Sequence, residues 1–167
     1  MRKRSKYRPR PVLVDPVGYT IESMKPVALH DDFLIDLKIK NALAMQALIM
    51  EKAEKSDMDN LISMNNVVHA LLRMGFGTQF KEYMNNGREA LLDVCRRGAA
   101  DQKFICRGPQ ITALNELLEL HDAQMEVITV KDMERAIALV NKERIVGKMI
   151  TINPKEIKNG IENQTPS

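Results

Sequence analysis

Residues 56–77 read Ser-Asp-Met-Asp-Asn-Leu-Ile-Ser-Met-Asn-Asn-Val-Val-His-Ala-Leu-Leu-Arg-Met-Gly-Phe-Gly. Leu61, Met64, Val68, Leu71 and Leu72 recur at the three- and four-residue spacing of one helix face. Ser56, followed three residues later by Asp59, is a capping-box variant with a short acid. Gly75 and Gly77 supply a C-cap-like end. A segment with its own start, period and stop is a helix, and the chain on both sides of it repeats that grammar.

Upstream, Asp31 or Asp32 is the expected N-cap of a helix running through Phe33, Leu34, Leu37, Leu43, Met45, Leu48 and Ile49 to about Ala53. Between Ala42 and Met50 only Gln46 is polar. A helix apolar on nearly all sides is expected at the centre of the fold. Downstream, a helix opens at Thr78 with Phe80, Tyr83, Met84, Leu91 and Val94 as its stripe. Gly87 within that stripe implies close approach of a neighbour. The helix stops at Gly98 or continues toward Arg107. Pro109 then suits the first position of a helix through Ile111, Leu114, Leu117, Leu118 and Met125, ending near Val127. Thr129 and Asp132 repeat the cap arrangement, and Met133, Ile137 and Val140 follow on one face, with Gly147 as terminator. The short connectors predict antiparallel helical hairpins around Ser56 and Thr129. Met149 to Ile152 has the makings of a short strand without an evident partner.

Composition agrees with an all-α domain. Apolar residues make up 44%, tryptophan is absent, and eleven methionines fill an aliphatic core. The expected organisation is an extended, proline-containing basic arm over 1–30, a domain of about five helices over 31–147, and a polar, mobile tail over 148–167. Two cysteines without a secretory signal, and no apolar stretch approaching a membrane span, place the expected protein in the cytoplasm, away from membranes, with reduced thiols.

Charge is concentrated. The first ten residues, Met-Arg-Lys-Arg-Ser-Lys-Tyr-Arg-Pro-Arg, hold six basic side chains and no acid. Taking those six from the chain's +3 leaves −3 on residues 11–167. Arg2, Lys3, Arg4, Lys6, Arg8 and Arg10 are candidate phosphate contacts, with Tyr7 placed to stack on a base. Six paired charges would give a slope of roughly −5 in log K against log salt. Arg96, Arg97, Lys103 and Arg107 are candidate secondary contacts that would extend this footprint. The arm fits DNA and RNA equally, and it also fits an acidic protein surface or a solvated, disordered leader that keeps the protein soluble.

Motifs for catalysis are sparse. There is no HExxH, no GxxxxGK[ST] loop and no GxSxG elbow. His69, His121 and Asp122 stand in the order used by helical HD-type metal-dependent phosphohydrolases, with Asp132 as the nearest later acid. Adjacent residues on a helix point about 100° apart, however. His121 shares a stripe with Leu114, Leu117 and Leu118, so a packed boundary residue is the simpler reading. His30-Asp31 reads as a helix entrance. Cations beside Cys95 and Cys106 in sequence would lower a thiol pKa, but Cys95 continues an apolar face. Residues 71–84 have a helix–turn–helix outline, with Gln79, Lys81, Asn85, Asn86 and Arg88 as the only polar readers. An ordinary hairpin fits as well.

Tyr7 to Pro16 (Tyr-Arg-Pro-Arg-Pro-Val-Leu-Val-Asp-Pro), the Leu-Arg-Met-Gly-Phe-Gly stretch, and Glu119 to Ala136 (Glu-Leu-His-Asp-Ala-Gln-Met-Glu-Val-Ile-Thr-Val-Lys-Asp-Met-Glu-Arg-Ala) resemble small helical proteins of unassigned function carried by bacterial phages and prophages. That resemblance implies an accessory role in nucleic-acid handling, host takeover or blocking host defence, and it transfers no catalytic residue. The expectation is therefore a non-enzymatic accessory protein without metal or cofactor. It would engage nucleic acid or a nucleoprotein through residues 2–10. The alternatives are a protein-binding module or inhibitor of a host complex, marked by an exposed apolar patch, and an HD-like hydrolase. The apolar helix over 31–53 leaves room for a homo-oligomer, covered either by its own chain or by a second copy.

Overall fold

The computed structural model describes residues 15–29, 31–101, 103–147 and 149–150. Those residues form an all-α fold of six helices: α1 Pro16–Ser23, α2 Asp31–Ile49, α3 Lys55–Arg73, α4 Lys81–Asp101, α5 Gly108–Val127 and α6 Val130–Ile145. Short 3₁₀ turns precede α2 and α4, at Val27–Leu29 and Thr78–Phe80. Residues 1–14 and 151–167, which include the cationic part of the arm expected over 1–30 and most of the expected tail, lie outside the described residues. The described remainder of that arm is not extended throughout: it holds α1, started by Pro16 and capped by the Asp15 side chain, and the 3₁₀ turn at Val27–Leu29.

The centre of the fold is α3, not α2. It packs against α2, α4, α5 and α6, and Met58, Leu61, Met64, Val68, Ala70, Leu71 and Leu72 are all buried. Two apolar clusters meet along it. One joins Ala44, Met45 and Leu48 of α2 to Leu91 and Val94 of α4 and Leu114 and Leu117 of α5. The other joins Ala70 and Leu71 to Val27, Leu34, Met125, Ile128, Met133 and Ala136. Each fully buried leucine contributes about 1.5–3 kcal/mol over an exposed one.

Local signals explain most boundaries. The cap of α3 sits two residues earlier than Ser56: Glu54 precedes the helix, and the Asp57 carboxylate accepts its N–H at 2.8 Å. Thr129 caps α6 as its spacing predicts. Its hydroxyl accepts from Asp132 N–H, and Asp132 accepts from Thr129 N–H at 3.1 Å. Gly75 takes φ +102° and lets Phe76 N–H reach back to Leu71 O, the left-handed close of a helix. α2 closes in the same way with Glu51 at φ +58°, Lys52 N–H donating to Ala47 O. No glycine signals that stop, so α2 ends at Ile49, short of Ala53. Gly98 does not end α4. It lies under the Phe104 ring, where any β-carbon would overlap.

Gly87 serves the close approach its position implies, since a β-carbon there would lie 2.7 Å from Leu117 Cβ. α4 and α5 run antiparallel, with Arg97 reaching Gln110 at one end and Gly87 facing Leu117 further along. The second predicted hairpin differs, because α6 packs chiefly on α3 and not on α5. Its entry is fixed by an antiparallel bridge between Pro26 and Thr129, with Val27 N–H to Ile128 O at 2.9 Å and Val130 N–H to Lys25 O at 3.0 Å. Beyond α6, Met149 and Ile150 are buried without forming a strand. The Asn66 side chain donates to Ile150 O at 2.9 Å and accepts its N–H at 3.3 Å.

Candidate functional site

Arg2, Lys3, Arg4, Lys6, Tyr7, Arg8 and Arg10 lie outside the described residues. The secondary cations are described, and they do not form one patch. Arg97 is held by the chain itself, donating to Ile105 O at 3.0 Å and Gln110 Oε1 at 2.7 Å and standing 3.5 Å from Asp93. Lys103 pairs with Glu51 at 2.7 Å. Arg96 and Arg107 are exposed. The shallow groove beside them, between α4 and α5, is lined by Glu89, Asp93 and Glu116, which repel phosphate. Arg97 thus closes the α4–α5 corner, Lys103 ties that connector to the one after α2, and Arg96 and Arg107 remain for solvent or a ligand.

The histidines occupy different settings. His121 is buried on α5, its Nδ1 3.3 Å from the carboxylate of Asp122, the packed boundary arrangement of the simpler reading. Asp132 is spent on the α6 cap, accepting from both the backbone and the hydroxyl of Thr129. Among the described residues, no three His, Cys, Asp or Glu side chains converge on a point that could hold a metal ion.

The thiols are free. Burial pushes Cys95 up to about 11, with the nearby Asp59 adding to it. Burial also raises Cys106, against the opposing pull of Arg97 and a backbone hydrogen bond. Burial outweighs the cations beside them in sequence, as the apolar face continued by Cys95 led us to expect.

His69 belongs to a polar seam between α3 and α4. Burial lowers its pKa first, then the charges of Arg88, Arg73 and Lys81 lower it further. Arg88 emerges between the buried Met84 and Leu91, and burial lowers its pKa as well. The proximities of Asp59 to Cys95 and of His69 to Lys81 fix an antiparallel register. The Leu71–Met84 turn is therefore that of a helical hairpin, with Arg88 turned toward α3 and not toward a DNA groove. His69 Nδ1, Arg88 Nη1 and both amide atoms of Asn65, one turn earlier, are buried without a hydrogen-bond partner among the described residues. One turn beyond His69, Arg73 pairs with the buried Glu143 of α6.

The feature that sequence reasoning misplaced is α2. Its inner face, through Leu34, Asn41, Ala44, Met45 and Leu48, is buried. Its outer face carries Ile35, Ile39, Leu43, Ile49 and, just past the helix end, Met50, each 46–57% exposed. Ala42 and Gln46 lie between them and are also exposed. At 100° per residue these seven positions fall within one stripe about 120° wide. The stripe is bordered by exposed Asp32 and Asp36 toward the N-terminal end and by exposed Lys52 just beyond the C-terminal end. The signal was present in the sequence: nearly all-round apolarity needs cover on both sides, and the remaining helices supply one.

Among the described residues, no helix is long and apolar enough to cross a membrane. Comparison with protein-family models, curated proteins and solved structures finds no match to this chain.

Proposed function

We propose that this protein works by binding, as a helical module that docks a protein chain on the outer face of α2. The carrying observation is the contiguous stripe of Ile35, Ile39, Leu43, Ile49 and Met50 left half exposed. Together these side chains leave one contiguous apolar patch to water, and contiguous exposed apolar patches commonly mark interaction sites. A photo-activatable crosslinker placed at Leu43 tests the reading. It is expected to yield one discrete protein adduct in bacterial cells, while the same group at exposed Thr112 yields none. Equal labelling from both positions, or no adduct from either, overturns it.

The cationic residues 2–10 support a second contact, with the phosphates of DNA or RNA, alongside the first. Fluorescence anisotropy on duplex DNA, single-stranded DNA and RNA at two salt concentrations reads it out. Binding by the full chain should be salt-sensitive and should be lost in a chain starting at Val12. Equal, negligible binding by both chains removes nucleic acid from the account. An accessory role in a phage or prophage setting is consistent with both contacts.

A further inference from the structure

We infer that the seam between α3 and α4 is a binding site for a phosphate oxyanion, gripped by Arg88 and His69 with Asn65 behind them. The site is separate from the α2 face and from residues 2–10. Three observations carry it.

The first is a buried cation without a counter-charge. Arg88 leaves α4 between the buried Met84 and Leu91, and its Nη1 is closed off from water with no hydrogen-bond partner among the described residues. A guanidinium keeps its charge at any physiological pH, so Arg88 cannot escape the cost of burial by losing a proton. Burial alone acts on its pKa, with no carboxylate to offset it. The acids of α4 lie elsewhere, since Glu89 and Asp93 line the groove toward α5. An unpaired buried charge is costly, and an anion from outside is the partner that removes the cost.

The second is the set of polar groups that converges there. Asn65 is fully buried, and neither its amide atoms nor His69 Nδ1 has a partner among the described residues. Asn65 and His69 stand one turn apart on one face of α3, and the antiparallel register sets Arg88 level with Asn65. The three side chains offer N–H donors and one acceptor, Asn65 Oδ1. Phosphate matches that mixture: its oxygens take the donors, and its singly protonated form gives a P–OH to the acceptor. The guanidinium fork spans two phosphate oxygens. A halide ion would use none of this geometry.

The third is field and access. The charges that act on His69 are Arg88, Arg73 and Lys81, all of them cationic. Glu143 balances Arg73, which leaves the seam with the charge of Arg88 and Lys81. His69 and Arg88 are each partly exposed, and Lys81 is exposed. An arriving anion therefore meets the outer edge of Arg88 first. An outward turn of that side chain opens the space beside His69 and Asn65 to the ligand.

The test is a proton NMR titration of the His69 ring in the full chain, with inorganic phosphate added at constant ionic strength. The signals are assigned by their loss in His69→Gln. A saturable shift is expected, together with a rise in the His69 pKa, because a bound anion favours the imidazolium. Potassium chloride at the same ionic strength should give neither. Arg88→Met should weaken binding at least tenfold. Arg88→Lys keeps the charge and loses the fork, so its affinity should fall between. Asn65→Leu should weaken binding a few-fold. Circular dichroism should show the parent's helicity in all three. Methyl phosphate separates the sources of the ligand. Binding equal to that of inorganic phosphate assigns the site to the phosphate end of a small organic molecule, and binding of inorganic phosphate alone assigns it to the free ion.

His69 signals that stay still, or that move equally with chloride, overturn the site. A saturable shift undiminished in Arg88→Met, with helicity intact, places the anion elsewhere on the chain and overturns it as well. If Arg88→Met loses helicity, Arg88→Lys decides, and undiminished affinity there overturns the grip assigned to the guanidinium fork.

Discussion

α2 and α3 are both nineteen residues long, and in them the relation between composition and burial is reversed. α2 is apolar on nearly every side and leaves half of itself to water. α3 carries Asp57, Asp59, Asn60, Ser63, Asn65, Asn66, His69 and Arg73, and it lies at the centre. The difference is one of position in the bundle. A helix with four neighbours buries polar side chains wherever they fall between two of them, and Asn66 shows how such a side chain is put to use. A helix at the edge has one covered face, whatever its sequence. Apolarity measures how much cover a helix calls for, and the cover can come from another chain.

The largest effects should come from the inner faces, where the two helices are alike. Leu71 of α3 and Leu48 of α2 are both fully buried. Replacing either by alanine leaves a cavity, and a loss of about 2–5 kcal/mol is expected in urea unfolding. If Leu48→Ala costs far less than Leu71→Ala, α2 is loosely held and the comparison is not between two structural helices.

The polar residues of α3 sharpen the comparison at the next scale. Asn66 satisfies both backbone groups of Ile150 at once. Asn66→Leu strands them, at a cost of about 1–3 kcal/mol. Asn65 is equally buried, yet among the described residues neither of its amide atoms has a partner. Asn65→Leu replaces an unpaired amide by a group of similar size and should be neutral or stabilising by the same assay. Equal losses in the two variants would show that Asn65 is paired in solution.

Much of this was legible in the sequence, and the limits have a common cause. The five helices over 31–147, the Thr129/Asp132 cap, the close approach at Gly87 and the proline at the start of α5 are local or pairwise matters, written in short spacings, whereas α1 falls in the stretch expected to be extended. Which helix occupies the centre is a property of the whole set. Periodicity gives each helix an apolar face and does not say which faces meet, so α2 was expected inside and α6 was paired with the wrong neighbour. The candidate site divides along the same line. The charge of residues 2–10 is plain in the sequence. The engagement of Arg97 by Ile105 O and of Lys103 by Glu51 depends on a corner between helices. The burial that raises the Cys95 pKa was legible, because Cys95 continues the apolar face of its helix.

A smaller effect is expected from pH, through the α3–α4 seam. His69 has its folded pKa below the ordinary value of 6.5 because of burial and the cations Arg88, Arg73 and Lys81. The unfolded chain therefore takes up its proton first as pH falls, and stability rises with pH across that window. The contribution is complete above about 6.5 and is lost as pH falls toward the depressed folded value. His69→Gln should flatten the stability–pH curve between neutrality and mild acid, as followed by thermal unfolding in a buffer series. A curve unchanged by the substitution would mean that no cationic seam faces His69.

The smallest expected effect is the one the comparison depends on most. Ile39 sits on the outer stripe of α2, half exposed. Ile39→Lys removes an apolar side chain that the chain's own core does not cover. An exposed helical position of this kind tolerates change within about 0.5 kcal/mol, and lysine is at least as good a helix former as isoleucine. Unfolding of the variant should therefore match the parent when both are measured at high dilution. A loss well above 0.5 kcal/mol at high dilution would mean that the outer face of α2 is already covered within one copy. The contrast between an inner α3 and a half-open α2 would then disappear.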